Sequence, residues 1–257
     1  MGKTVLRLPA SALTAPGPGP LPVERLRDHL AVHFEGVLSR RECAAYARGV
    51  YAGRAAWVPN FDGVQFTLGR AYYVHLETDR EDEYFANVEA ADAAVERYVP
   101  GLVDRLLGMM RLCVGSEIGR RPDFCGPGVH IFPAGEYVSH HGGDVHWDVE
   151  GLDEAWIAEH LETLTGVLML QPAAQGGGLR VWDTVYEDED SEEAPGSAEC
   201  EEIVYGVGDL VILDSYRLHQ ICASSGPLDR ISVTAHAVRA AGGVGDKDGG
   251  AGWQAWF

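Results

Sequence analysis

The second half of the chain contains residues whose types and spacing suit a metal site. His146 and Asp148 stand two residues apart in the segment GDVHWDVE. In an extended strand, residues i and i+2 point to the same face, so this pair presents an imidazole and a carboxylate side by side, while Trp147 turns the other way into packing. A second imidazole, His219, follows about seventy residues later, after the β-prone segment DLVILDS. Singly, each residue is more typical of a structural or surface role, but jointly they predict a ligand set.

Two other histidines compete with His146 for this role. His140 and His141 precede a Gly-Gly turn, and neither has a carboxylate two residues further along. We therefore expect them to be loop residues near the mouth of the site.

An arginine and a serine follow His219 at a spacing that suits a carboxylate ligand. Arg230 lies eleven residues beyond His219 and begins the β-prone segment RISVTAHAV, in which Ser232 shares its face. A guanidinium forms paired, charge-assisted hydrogen bonds with a carboxylate, which an ammonium cannot do as rigidly. Thr234 and His236 have the same parity as Arg230, and we expect them to lie in the core or beside the site. Two histidines and one carboxylate with open positions opposite them are the geometry of non-haem Fe(II) oxygenases.

With these residues, the sequence resembles the Fe(II)/2-oxoglutarate-dependent dioxygenases. The resemblance covers roughly residues 127–240 and, more loosely, the segment FEGVLSRRECAAY near the start. It implies that Fe(II) is held by three residues, His146, Asp148 and His219. It also implies that the 5-carboxylate of 2-oxoglutarate is bound by Arg230, with Ser232 completing an Arg-x-Ser pattern seen in part of the family.

The resemblance also implies a reaction. Family members use O₂ and the cosubstrate 2-oxoglutarate to oxidise a substrate C–H bond, and they release succinate and CO₂. Halogenases of the family have Gly or Ala where this chain has Asp148, so the filled position favours hydroxylation over halide transfer. Desaturation and ring closure remain open. We expect the substrate to be a small molecule, with a free amino acid and a natural-product intermediate as the two candidates.

Charge narrows the class of partner. Lys and Arg number 20 against 39 Asp and Glu, a formal net charge of −19. Such a field repels phosphate backbones, which argues against nucleic-acid and anionic-membrane partners and favours a cationic, amine-bearing or zwitterionic ligand, although acidity alone often reflects solubility.

Three residues are candidates for contacts with the organic substrate. Arg70 could bind a carboxylate or form a surface ion pair. Asp144 could meet an amine or cap a turn, and Trp253 could cover the pocket or pack in the C-terminal region.

The expected architecture is mainly β with N-terminal helices, built on a double-stranded β-helix (jelly-roll, cupin-like) core. About eight short β-prone segments with turn signals between them follow residue 127, among them EYVSHH and VHWDVE. A capping box at Ser39-Arg40-Arg41-Glu42 predicts a helix start, and LVDRLLGMMRLCV predicts another helix with a broad apolar face. Helices of this part would support one face of the sheet.

We expect one domain over residues 1–257. It divides into a flexible leader (1–20), a mostly helical support (21–126), the jelly-roll core (127–240) and a C-terminal tail (241–257). The acidic segment 185–202 is either a solvated loop or a lid. Five widely spaced cysteines without a CxxC pair, and no apolar run of signal-peptide or membrane-span length, predict a cytoplasmic protein.

Two alternatives to an oxygenase remain at this point. One is a non-catalytic jelly-roll protein that binds a small acid or a protein partner. The other is a different metal enzyme on the same barrel, such as a cupin isomerase, which would have no need of Arg230.

Overall fold

The computed structural model describes residues 2–14, 19–188, 191, 195–241 and 251–257. Its helices are α1 (Ser11–Thr14), α2 (Pro22–Arg25), α3 (Arg40–Ala52), α4 (Tyr72–Glu77), α5 (Glu81–Ala86), α6 (Val88–Tyr98), α7 (Leu102–Val114), α8 (Tyr137–His141) and α9 (Glu154–Ala158). Its strands are β1 (Leu6–Pro9), β2 (Val32–Glu35), β3 (Val58–Asn60), β4 (Gln65–Leu68), β5 (Ile118–Arg120), β6 (Gly128–Phe132), β7 (Thr163–Gln171), β8 (Gln175–Gly176), β9 (Leu179–Val185), β10 (Cys200–Ile203), β11 (Leu210–Leu213), β12 (Arg217–Ile221), β13 (Ser224–Ser225), β14 (Arg230–Ala241) and β15 (Ala251–Trp256).

The strands that follow β5 form the expected jelly roll. β6, β14, β7 and β11 lie side by side in the main sheet, and β12, β9 and β10 form a second sheet. An isolated bridge between His146 and His219 adds one more segment beside β12. The chain passes in turn from β6 to the His146 segment, β7, the β9–β10 pair, β11, β12 and β14, and so alternates between the main and the second sheet. It therefore winds as a double-stranded β-helix, which confirms the predicted fold class.

Residue parity separates the two faces of the main sheet. The odd-numbered side chains of β14 from Ile231 to Ala237 join the largest hydrophobic cluster, together with buried residues of α3 and α7. Val211 of β11 and Met169 of β7 instead pack against Leu179 of β9, in a cluster between the two sheets. The helices therefore cover one face of the main sheet, as predicted, and the other face is turned toward the second sheet.

The two strongest helix predictions are confirmed. Ser39 caps α3, since its Oγ accepts the backbone N–H of Glu42 while the Glu42 carboxylate accepts the N–H of Ser39. α7 covers all of LVDRLLGMMRLCV and buries eight of its side chains. An amphipathic helix gains most of its stability by burying its apolar face, so the spacing of apolar residues in the sequence predicts the helix.

Several local expectations are corrected. The segment EYVSHH is not a strand, because residues 137–141 form α8, which ends where Gly142 takes a positive φ of 84°. The segment VHWDVE contributes only the single bridge at His146. The supposedly flexible leader includes β1 and α1, and β1 pairs in parallel with β2. The support region contains β2 to β5 as well as helices, and the tail contains β15, which pairs with β14.

The acidic segment 185–202 lies partly outside the described residues, and so does the end of the leader. Within the described residues, no helix is long and apolar enough to cross a membrane.

Candidate metal centre and active site

Backbone pairing brings the three predicted ligands together. The His146 N–H donates to the His219 carbonyl over 3.0 Å, and the His219 N–H donates back over 2.9 Å. The Asp148 N–H is held by the Ser215 carbonyl at 2.9 Å. One potential ligand atom from each of His146, Asp148 and His219 lies within 4.8 Å of the others, a group that could hold a metal ion.

Hydrogen bonds orient both imidazoles for this role. His146 Nδ1 lies 2.9 Å from the Asp144 carbonyl oxygen, and His219 Nδ1 lies 2.8 Å from the Arg217 carbonyl oxygen. A carbonyl can only accept, so each Nδ1 carries a proton, and in the neutral ring the lone pair is then on Nε2. The two Nε2 atoms are 3.6 Å and 3.4 Å from the Asp148 carboxylate oxygens. Fixing the tautomer through the second ring nitrogen is how proteins prepare histidine ligands.

The Asp148 carboxylate is buried and held ionised. Burial by itself raises its pKa, but the neighbouring imidazoles of His219, His236 and His146 and the Thr165 hydroxyl lower it to about 2. The Thr165 hydroxyl donates to Asp148 Oδ2 over 2.7 Å, and its oxygen lies 3.1 Å from His236 Nδ1. A carboxylate that stays ionised in a buried position is suited to bind a cation.

The imidazoles of His219 and His236 are kept neutral. Burial lowers the pKa of His219 to about 4 against the opposing charge of Asp148, and burial also lowers the pKa of His236. Neutral imidazole is the form that binds metal ions, so His219 is in its ligand form at neutral pH.

Arg230 lies buried at the start of β14. Its Nε donates to the Gly177 carbonyl over 2.9 Å, and its Nη1 donates to Ser232 Oγ over 3.0 Å. The guanidinium carbon sits 5.3 Å from the ring centroid of Phe132 and 5.5 Å from that of Tyr205. Within the described residues no carboxylate forms an ion pair with Arg230, and burial lowers its pKa. A buried guanidinium without an anionic partner indicates a site for an anionic ligand.

The triad and Arg230 open into one cavity of about 700 Å³. Four alternate residues of β14 face it, which are Arg230, Ser232, Thr234 and His236. The other lining side chains are mostly aromatic or acidic, and those used below are Tyr73, Glu77, His130, Asp144, Glu150, Trp256 and Phe257. This volume is in the range of pockets that enclose small organic ligands.

The structure places the three predicted substrate residues in different surroundings. Asp144 is exposed and lines the cavity. Arg70 is not among the lining residues, because its Nη1 is 2.8 Å from Glu83 Oε1 in an ion pair. Trp253 is 2% exposed in the main hydrophobic cluster, where it cannot cover the pocket. Trp256, of opposite parity on β15, lines the cavity instead.

Sequence reasoning missed or left open three further residues of the site. Glu150 continues the alternation of His146 and Asp148 into the cavity, a signal that was available in the spacing. Thr165 lies on β7 and contacts Asp148 directly, but the two residues meet only because distant segments pack together, which no local sequence pattern shows. His130 stands opposite Ser232 in the β6–β14 register, and no local pattern in the sequence marks which face it occupies.

Comparisons with known proteins support the fold. No protein-family model matches the sequence, and no curated protein is significantly similar to it. The non-heme alpha ketoglutarate dependent carbocyclase SnoK from nogalamycin biosynthesis matches with a TM-score of 0.57 at 14% identity, over 94% of this chain and 100% of that one. The non-heme alpha ketoglutarate dependent epimerase SnoN from the same biosynthesis matches with a TM-score of 0.53 at 16% identity, over 88% of this chain and 82% of that one.

The chain thus has the double-stranded β-helix fold of non-heme alpha-ketoglutarate-dependent enzymes. At these identities the similarity establishes the fold, and the chemistry rests on the residues of the site.

Proposed function

We propose that this chain is an Fe(II)- and 2-oxoglutarate-dependent oxygenase that oxidises a C–H bond of a small molecule. The observation that carries the proposal is the buried, anion-free guanidinium of Arg230 in the same cavity as the His146, Asp148 and His219 donor set. A jelly-roll protein that binds metal alone has no need of such an arginine.

The donor set fits ferrous iron. Two imidazole nitrogens and one carboxylate, gathered on one side, match the ligands and open geometry of non-haem Fe(II) sites. When bound, iron would supply the redox chemistry by which O₂ and 2-oxoglutarate oxidise the substrate, with release of succinate and CO₂. The role of Thr165 is to hold the Asp148 carboxylate, and the two backbone carbonyls hold the imidazoles.

Arg230 would bind the far carboxylate of 2-oxoglutarate. Of the five N–H donors of a guanidinium, two are used by Gly177 and Ser232, so three remain for a ligand. A bidentate pair fixes the cosubstrate in direction as well as in position. The Arg230 guanidinium is itself buried, and a buried position strengthens these charge-assisted contacts.

Hydroxylation is the outcome we favour, because Asp148 occupies the carboxylate position of the triad. Desaturation and ring closure are alternatives, and the names of the structural neighbours SnoN and SnoK add epimerisation and carbocycle formation. Product mass separates these outcomes. One added oxygen atom indicates hydroxylation, loss of two hydrogen atoms indicates desaturation or oxidative ring closure, and an unchanged mass indicates epimerisation.

We also propose that the whole chain acts as one unit, since β1, β2 and β15 extend the sheet that carries the site. All five cysteines are unpaired, which supports the expected cytoplasmic location.

The test is anaerobic addition of Fe(II) and 2-oxoglutarate to the purified chain. We expect a weak visible metal-to-ligand charge-transfer band, and succinate once O₂ is admitted. Asp148→Ala and His219→Ala should lose both, whereas His141→Ala, at an exposed position outside the cavity lining, should retain both. Retention of the band and of succinate formation in the first two variants would refute the triad.

A further inference from the structure

The part of the cavity not used by 2-oxoglutarate is acidic. Among the described residues that line the cavity, Arg230 is the one arginine or lysine. Outside the metal triad, the lining carboxylates are Glu77, Asp144 and Glu150. Once Arg230 binds the cosubstrate, no cationic side chain of the lining is left to meet an anionic group on the substrate.

Glu150 is the carboxylate best placed among these. His146, Asp148 and Glu150 all line the cavity, while Trp147 and Val149 pack in a separate hydrophobic cluster. The backbone at Glu150 is held, because Trp256 Nε1 donates to its carbonyl over 3.3 Å. No arginine, lysine or histidine forms an ion pair with the Glu150 carboxylate in the described part of the chain, in contrast to Glu83, which pairs with Arg70.

Aromatic rings line the same cavity as this carboxylate. Trp256 lies beside His236, with ring centroids 6.0 Å apart, and His236 reaches the Asp148 carboxylate. On the neighbouring wall, the rings of Tyr73 and Phe257 lie 6.0 Å and 4.8 Å from that of His130. Aromatic faces attract ammonium groups and also accommodate an apolar body.

His130 is a further polar side chain on this wall. It is 8% exposed and lines the cavity, yet it makes no hydrogen bond to any described residue, and its Nδ1 is buried without a partner. Because that Nδ1 atom is itself buried, the remaining edge of the imidazole is the part that a ligand in the cavity would contact.

We infer that the cavity takes a substrate that carries a protonated amine and no free carboxylate, with the ammonium paired to Glu150 and the apolar body against Tyr73, Trp256 and Phe257. This inference rests on the proposed function, because it assumes that Arg230 is occupied by 2-oxoglutarate. It narrows the substrate class, since the carboxylate of a free amino acid would meet Glu77, Asp144 and Glu150 without a compensating cation.

Matched ligands test the charge requirement directly. Three arylethylamines (tryptamine, tyramine and phenethylamine) are each compared with the N-acetyl derivative and with the parent α-amino acid. Each is titrated anaerobically into the chain loaded with Fe(II) and 2-oxoglutarate, and binding is followed by calorimetry and by the change in the visible band. We expect at least one amine to bind at least about tenfold more tightly than both of its counterparts.

Substitution then locates the preference. Glu150→Gln should bring the amine to within about twofold of its N-acetyl derivative. Glu159→Gln, at an exposed position just after α9, should keep the wild-type preference. Three outcomes would each overturn the inference. They are tighter binding of the amino acid or the N-acetyl derivative than of the amine, an unaltered preference for the amine in Glu150→Gln, and no binding by any of the three amines. Because every titration begins from the loaded band, absence of that band reports failure of the proposed function instead.

Discussion

Replacing Arg230 with methionine separates ligand binding from folding. Methionine has a similar length and no charge, so it fills the same space between Phe132 and Tyr205. In the free protein the change removes a buried charge together with two hydrogen bonds, to Gly177 and Ser232. These effects oppose each other, and we expect the free energy of unfolding to change by no more than about 1 kcal/mol.

The response to 2-oxoglutarate should change far more. At a concentration one hundred times its Kd, a ligand stabilises the native state by about 2.7 kcal/mol. For a chain of this size that corresponds to a rise in Tm of about 5 to 10 °C. Loss of two charge-assisted hydrogen bonds at about 1.5 kcal/mol or more each weakens binding at least about a hundredfold. At the same ligand concentration the variant would then gain no more than about 0.4 kcal/mol, or roughly 1 °C.

The assay is thermal unfolding of the Fe(II)-loaded chain under anaerobic conditions, with and without 2-oxoglutarate. Arg239→Met is the matched control, because Arg239 lies on the same strand but pairs at the surface with Glu162. The control should keep the full ligand-induced shift. An Arg230→Met variant that folds and shows the wild-type shift would refute the assignment of this arginine to the cosubstrate.

Three further changes test the surroundings of the site. Thr165→Val removes the hydroxyl that holds Asp148, so it should weaken Fe(II) binding at least about tenfold in a chelator competition. Thr165→Ser keeps a hydroxyl and should bind Fe(II) as the wild type does. Equal Fe(II) affinities of the two variants would contradict a positioning role for Thr165. Burial lowers the pKa of His130 to about 3, below its ordinary value of 6.5. The folded state therefore favours the neutral imidazole, and the stability that this contributes is fully present above pH 6.5. It is lost as the pH falls toward 3, by up to about 1.4 kcal/mol of unfolding free energy per pH unit. His130→Gln should therefore flatten the decline of urea stability of the metal-free chain between pH 7 and pH 4, and an unchanged slope would count against a buried neutral imidazole. Trp253→Ala should cost about 3–5 kcal/mol of unfolding free energy and leave the Kd of 2-oxoglutarate unchanged; weakened binding in a stable variant would argue against its place in the core.

The elements and ligands that could be predicted were those that carry a periodic or paired signal. The capping box of α3 and the apolar face of α7 are local, so a short stretch of sequence specifies them. Strand parity paired His146 with Asp148 as candidate metal donors, and the resemblance to the oxygenase family, with the spacing of His219 and Arg230, added those two residues to the expected site. The helix predictions needed only the local sequence, whereas the roles expected of His219 and Arg230 also needed the resemblance to the oxygenase family.

The failures came where packing between distant segments decides the outcome. EYVSHH is rich in residues that suit a strand, but Ser139 Oγ donates to the Glu136 carbonyl and the segment closes as a short helix. The segment GWQAWF has one tryptophan at an odd-numbered and one at an even-numbered position, and the local sequence does not show which of them faces the cavity. Pairing with β14 makes the choice, because Trp253 stands opposite Arg239 and Trp256 opposite His236.

The register of β14 is therefore what converts a sequence pattern into a site. Its even-numbered residues from Arg230 to His236 line the cavity, and its odd-numbered residues from Ile231 to Ala237 lie in the helix-covered core. Since side chains alternate strictly, a slip by one residue would place a guanidinium and an imidazole in the apolar core and turn valine and alanine toward the cavity. The apolar residues that fix this register carry no chemistry themselves, yet they place Arg230 and His236 on the wall of one cavity. The same burial that stabilises the sheet thus specifies where 2-oxoglutarate would lie.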